Sequence, residues 1–271
     1  FRRFHDPITY DEPTMFIRWG CTASMDGVVE GDNITVLNKA HSISKVNNKR
    51  GFRVNMLASG NAEHVPTTWL TLAAYGDAGE PVAILRPRFH AQGRNLLRVD
   101  NAADLRSMVT RPAFADGWYL SEFIDKQKEY RVYFVNNRVA SMAEKIPHDR
   151  NQLAWNVAQG GEFRVVRWDD YHMPIIQAAY VAHQVSGLDF SGVDVMVDAN
   201  GKAYVLEVNS APSLPFNSDN SVSYRQASLA KCFAWEYTNY RLAQTRLSYS
   251  ITNYDNWRNV IHPALNHNAI T

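Results

Sequence analysis

Asp194, Glu207 and Asn209 are the residues of this 271-residue chain whose types and spacing suggest chemistry most directly. Glu207 and Asn209 stand two apart in Ala203-Tyr204-Val205-Leu206-Glu207-Val208-Asn209, an apolar run that reads as a strand, so they share a face. Val193-Asp194-Val195-Met196-Val197 reads as its partner, and Asp198-Ala199-Asn200-Gly201 as the turn between them. The hairpin brings Asp194 across from the other two. Two carboxylates and an amide oxygen form a hard-oxygen set that suits magnesium and leaves positions for phosphate oxygens. A surface hairpin with outward polar residues is the competing reading. The apolar flanks, with Pro212 and Pro215 beyond, weigh against it.

Such a hairpin needs a framework, and the composition supplies one. The chain is 45% hydrophobic and 20% charged, which suffices for a sizeable core and excludes disorder, collagen and coiled coil. Lys+Arg 28 against Asp+Glu 27 gives a net charge of +1, so a bulk grip on nucleic acid is not indicated. Cys21 and Cys232 make no CxxC pattern and read as ordinary thiols in a reducing, cytoplasmic setting. No apolar run is long enough to span a membrane, and no apolar stretch of a secretory signal follows the charged N-terminus. The chain starts at Phe1 without an initiator Met, which reads as processing or as part of something longer.

The spacing predicts strands at Met15–Gly20 and Asn33–Leu37, with turn chemistry between them, and a helix over Ser44–Ser59. Pro81–Arg86 and Leu96–Val99 form a hairpin with a long polar tip, followed by a helix from Ala102 to Thr110. Trp118–Ile124, Glu129–Val135 and Arg138–Ile146 are strands, the last two joined at Asn136-Asn137. Met173–Ser186 is a helix closed by Gly187, and Ser221 to Thr245 another. The last twenty-odd residues form a docked extension or an arm. Trp155, Trp168, Met142, Met173 and Met196 read as packing, and His90 as an exposed loop histidine.

Gly192-Val193-Asp194-Val195-Met196-Val197, a short turn, and Val205-Leu206-Glu207-Val208-Asn209-Ser210-Ala211-Pro212-Ser213-Leu214 closely resemble the closing motif of ATP-grasp enzymes. The likeness is strongest to the branch of ribosomal-protein glutamate ligases and related carboxylate–amine ligases. It covers roughly residues 44 to 215. It implies an α+β class and the ATP-grasp fold, with two α+β subdomains holding ATP between them. The expected layout is a reduced pre-ATP-grasp region over 1–43, an N-terminal subdomain with its preceding helix over 44–120, a C-terminal subdomain over 121–215, and a helix and extension over 216–271.

The same resemblance implies roles for residues. Asp194, Glu207 and Asn209 bind Mg2+, with Mn2+ as an alternative. Lys49, in Asn47-Asn48-Lys49, supplies a phosphate-binding cation; a solvated helix charge is the other reading. Arg86 stands where the family usually has Lys, and with Gln92 and Gly93 it covers the ATP phosphates. Backbone groups of Glu122, Phe123 and Ile124 pair with adenine. Glu129 contacts the ribose, and Arg131 pairs with Glu129 or faces the transferred phosphate; for these two an exposed cross-strand ion pair competes. Lys145 faces the acyl phosphate and Asn156 the phosphates.

The implied activity is ADP-forming ligation of a carboxylate to an amine through an acyl phosphate, with Arg131 and Lys145 as catalytic cations. The acceptor stays open among small amines, peptides and proteins. A non-catalytic ATP-grasp binding or structural protein is the alternative.

Overall fold

The computed structural model describes residues 13–25, 34–90, 93, 95–109, 117–155, 160–214, 222–243 and 260–265. In chain order the elements are β1 (Thr14–Ile17), β2 (Ile34–Leu37), α1 (Ala40–Asn47), α2 (Lys49–Ala58), β3 (Thr68–Trp69), α3 (Leu72–Asp77), β4 (Ala83–Arg86), β5 (Leu97–Val99) and α4 (Ala102–Val109). Then follow β6 (Tyr119–Glu122), β7 (Lys128–Val135), β8 (Arg138–Ile146), β9 (Glu162–Val165), α5 (Met173–Ser186), β10 (Phe190–Val197), β11 (Ala203–Asn209) and α6 (Tyr224–Ala243). No helix among the described residues is long and apolar enough to cross a membrane.

Among the described residues three sheets form: β1–β2, a four-stranded sheet in the order β3-β6-β4-β5, and a five-stranded sheet in the order β11-β10-β7-β8-β9. Every pair in the two larger sheets is antiparallel. β1 and β2 pair in parallel, so the turn residues between them do not close a simple hairpin. The two larger sheets meet at residues 123–127. The expected boundary at 120/121 therefore falls inside β6, which pairs with β4 from Tyr119 to Glu122.

The helix expected over Ser44–Ser59 is two helices. Asn48 breaks it, with ψ at 88° and a side chain that accepts from the Gly51 N–H. The break puts Lys49 in the first turn of α2. Both helices pack against the five-stranded sheet: Ile43, Val46, Phe52 and Met56 join a core with α5 and the odd-numbered side of β10. They thus side with the second sheet, not with the subdomain to which the sequence assigned them. α5 runs as expected and ends at Gly187, whose φ of 68° suits a residue without Cβ.

Strand parity explains how one sheet serves a core and a site. On β7, Tyr130, Val132 and Phe134 face α5, while Tyr133 and Val135 face α6 through a smaller cluster with Leu229 and Cys232. Glu129 and Arg131 share the parity of Tyr133 and continue that second face beyond the apolar cluster. The described part of the C-terminal extension is docked. Val260 and Ile261 are buried, Ile261 bridges Val139, and His262 bonds Glu236 at 3.0 Å.

Candidate functional site

A cavity of about 1340 Å³ lies between the two larger sheets. Lys49, Arg86, Gly93, Glu122, Phe123, Ile124, Glu129, Arg131, Lys145, Asp194, Glu207 and Asn209 all line it. Gln92 and Asn156 lie outside the described residues. Among the described residues seven lysine or arginine and five acidic side chains face the cavity, an excess of positive charge that suits an anionic ligand.

The five-stranded sheet sets one row of chemistry across its strands. Asp194 lies opposite Arg131 on β7 and opposite Glu207 on β11. β11 carries a bulge here, because Asp194 pairs with Glu207 while Val195 pairs with Val205, leaving Leu206 over. In an unbroken strand Glu207 would share the face of Ala203 and Val205, which point into the core beneath α5. The bulge turns Glu207 and Asn209 to the cavity. Arg53 of α2 donates to the Leu206 carbonyl at 3.0 Å and so holds the bulged residue. Burial lowers the Arg53 guanidinium to about 10, despite Tyr119 beside it.

Along this face the charges alternate. Lys126 donates to Glu129 at 2.5 Å, and Lys145 to Glu129 at 2.6 Å and Asp194 at 2.7 Å. Arg131 grips Asp194 through Nε at 2.6 Å and Nη2 at 2.8 Å. The exposed ion pair between Glu129 and Arg131 that the sequence allowed is absent: both are buried, and each pairs elsewhere. Burial works against the charge of Arg131 and of Lys145. The charge and hydrogen bonds of Asp194, joined at Lys145 by the Glu129 carboxylate, together outweigh it and raise both above their ordinary values. Glu207 meets Lys49 at 3.1 Å, and its other oxygen accepts from Asn209 at 3.1 Å. Burial pushes the Glu207 carboxyl up, but Lys49, Lys145 and Arg131 together hold it well below the usual carboxylate range.

Among the described residues no cluster of three or more His, Cys, Asp or Glu side chains forms a metal site. The candidate set is two acids and an amide, as the sequence suggested. Its chemistry fits a hard divalent cation, with Glu207 ionised and the Asn209 amide beside it. Asp194 has both oxygens engaged by Arg131 and Lys145.

The segment after β6 is partly committed. The Glu122 N–H bonds the Thr67 carbonyl and the Phe123 N–H the Val82 carbonyl, while the Glu122 carboxylate accepts from Thr67. These two N–H groups are therefore not free for a ligand. Arg98 lies 4.2 Å over the Phe123 ring.

Sequence reasoning missed three residues. Lys126 stands 4.6 Å over the Trp155 ring, and Trp155, read as packing, lines the cavity with its indole N–H buried and unpartnered. His90 is half-buried rather than exposed, and both of its ring nitrogens lack partners. Burial and the nearby Arg86 push its imidazole down to about 4, so it is neutral. No signal short of the fold marks these residues.

Comparison with known proteins matches the model of the RimK-like ATP-grasp domain over residues 75–225. A relative from Hahella chejuensis, described as probable alpha-L-glutamate ligase 2, is 30% identical over 128 residues, covering 46% of this chain and 40% of that protein. The chain thus spans well under half of that relative. Among solved structures, the ATP-grasp ligase PsnB complexed with a minimal precursor superposes with a TM-score of 0.53 at 16% identity, over 78% of this chain and 65% of that one. D-alanine–D-alanine ligase from Bacillus anthracis gives 0.55 at 15% identity, over 78% and 73%. At these identities the structures establish the fold. The family model covers more than half of the chain, and with the hairpin of Asp194, Glu207 and Asn209 on the wall of the cavity, the chain belongs to the RimK-like ATP-grasp family.

Proposed function

We propose that this protein is an ATP- and magnesium-dependent ligase that joins a carboxylate to an amine through an acyl phosphate. The observation that carries this reading is the shared row of Glu207, Asp194 and Arg131, with Lys145 beside it, on one wall of a cavity with net positive lining. The ligase names of the Hahella relative and of the two structural neighbours support the reaction class.

In this reading the carboxylate attacks the γ-phosphate of ATP, ADP leaves, and the amine then displaces phosphate from the acyl phosphate. Lys49, Arg86, Arg131 and Lys145 neutralise charge on the phosphates, the main contribution a protein makes to phosphoryl transfer. Asp194, Glu207 and Asn209 would hold Mg2+, which neutralises phosphate charge when bound; Mn2+ suits the same ligands. Phe123, Ile124 and Glu122 border the base, and Glu129 lies toward the ribose. Gly93 brings backbone close to the phosphates, with Gln92 and Asn156 as further phosphate contacts.

The test is incubation with ATP, magnesium and a panel of amino acids and peptides, following ADP and phosphate. Release that depends on one carboxylate and one amine is expected, and Glu207→Gln should abolish it. Carboxylate-independent release, or full turnover by Glu207→Gln, would refute the assignment.

A further inference from the structure

Arg53, on α2, is only 1% exposed. Its Nη2 donates to the Leu206 carbonyl at 3.0 Å, while its Nη1 is buried without a hydrogen-bond partner. Burial lowers the guanidinium to about 10, and the charge of Arg86 adds to that; Tyr119 and, more weakly, Glu207 oppose it. Holding a cation there against burial is costly. Packing alone would be met at lower cost by an apolar side chain of similar volume. Arg53 does not line the cavity, so its charge does not serve a ligand directly.

Its neighbours lie on both large sheets. β11 is an edge of the five-stranded sheet, so its outward carbonyls have no ladder partner. Leu206 is the residue left over between the Asp194 and Val195 pairings. Leu206 and Glu207 both line the cavity, whereas Val205 and Val208 on either side lie in the core beneath α5. Two consecutive side chains on one face follow from the extra residue of a bulge, and the Arg53 bond fixes where that residue falls. On the other side stands Tyr119 of β6. Leu120 belongs to the core of the four-stranded sheet, and Ser121 lines the cavity. Tyr119 shares the parity of Ser121 and so faces away from that core, toward α2. It pairs with Arg86 in the ladder, and Arg86 lies 6.0 Å over its ring.

We propose that Arg53 is a positioning residue that joins the four-stranded sheet, through Tyr119, to the Leu206 bulge and thereby sets the direction of Glu207. The placement of the Glu207 carboxylate then follows that of the sheet that carries Arg86. Arg53 acts through backbone, not by touching a ligand. Its effect on nucleotide rests on the proposed magnesium site; its hold on the bulge does not.

The experiment compares wild type, Arg53→Met, Arg53→Lys and Tyr119→Phe in two measurements. Amide hydrogen exchange over residues 204–209 of the ligand-free proteins reads the bulge. Titration with a non-hydrolysable ATP analogue, with and without magnesium, gives the ratio of the two affinities. Arg53→Met should speed exchange over 204–209 more than in the rest of the five-stranded sheet. It should also cut the magnesium enhancement by about tenfold or more, the scale of losing a group that orients a metal ligand. Arg53→Lys keeps a charged donor without the planar fork and should recover part of both. Tyr119→Phe should move both in the same direction by less. These two variants also serve if Arg53→Met does not fold. A residue that only fills space would lower the Tm and leave the magnesium enhancement at its wild-type value, and that result would overturn the proposal. So would unchanged exchange over 204–209. If wild type itself shows no magnesium enhancement, the magnesium site falls, and the exchange decides alone: faster local exchange in Arg53→Met upholds the hold on the bulge, and equal exchange overturns it.

Discussion

Replacing Lys145 with Met tests the buried charge chain at its centre. The Lys145 ammonium is shared, 2.6 Å from Glu129 and 2.7 Å from Asp194, and its side chain is 9% exposed. Each charge-assisted bond is worth about 1.5–3 kcal/mol. Neither carboxylate is orphaned when Lys145 goes: Glu129 keeps Lys126, and Asp194 keeps both bonds from Arg131. The loss should therefore fall below the sum of two bonds and near that of one charge-assisted bond, about 1.5–3 kcal/mol. Lys145→Arg preserves the charge and should lose about half as much. Urea unfolding of the ligand-free protein at neutral pH measures this, with an unchanged m-value as the sign that only stability has moved. Asp194→Asn made in both backgrounds should be non-additive with Lys145→Met by about 0.5–3 kcal/mol, since the two groups touch. A loss under about 1 kcal/mol for Lys145→Met, with additive Asp194→Asn, would refute the view that these charges form one buried unit.

Arg86→Ala should weaken ATP binding by about 1.5–3 kcal/mol, and Arg86→Lys should restore much of it; equal affinities by nucleotide titration would place Arg86 outside the phosphate site. Gly192→Ala should destabilise by about 1–3 kcal/mol and impair nucleotide turnover, because a Cβ there would meet the Pro212 Cβ at 2.6 Å and the Arg131 Cδ at 3.2 Å; wild-type stability and turnover would contradict that packing. His183 is buried, bonds Ser191 and stacks on Phe134, and burial lowers its imidazole to about 3. The fold holds it neutral while the unfolded chain protonates near 6.5. Its contribution is thus full above pH 6.5 and lost as pH falls toward 3, by at most about 1.4 kcal/mol per unit. Urea midpoints between pH 7 and 4.5 should fall less steeply in His183→Gln, and parallel slopes would remove this account.

Four strands of the large antiparallel sheet were legible because they are apolar, strand-forming runs and their turns carry Asn136-Asn137 and Asn200-Gly201, where positive φ is tolerated at Asn136, Asn137 and Gly201. α5 was legible from its continuous apolar pattern and Gly187. The break at Asn48 was not. The residues on either side continue the same helical pattern, and only the side-chain bond to Gly51 ends one helix and starts the next. Strand β9 also escaped notice: it is a short edge strand, mostly exposed, and owes its existence to pairing with β8.

The β10–β11 hairpin has Asp194 across from Glu207, as the sequence suggested, but for a reason the sequence does not contain. A shared face for Glu207 and Asn209 follows from their spacing. Which face it is depends on the bulge at Leu206, and nothing in Val205-Leu206-Glu207 announces one. The bulge is held from outside the sheet, by Arg53 on a helix about 150 residues away in sequence. Lys49 and the bulge-holding Arg53 lie four residues apart on α2, one turn of helix. The same helix therefore turns Glu207 toward the cavity and supplies the cation that meets it there. Asn48 fixes the start of that helix, and the Lys49 N–H ties it to the Arg88 carbonyl just beyond β4. A break that looked like an interruption of local order is thus what sets β4, Lys49 and β11 in one register.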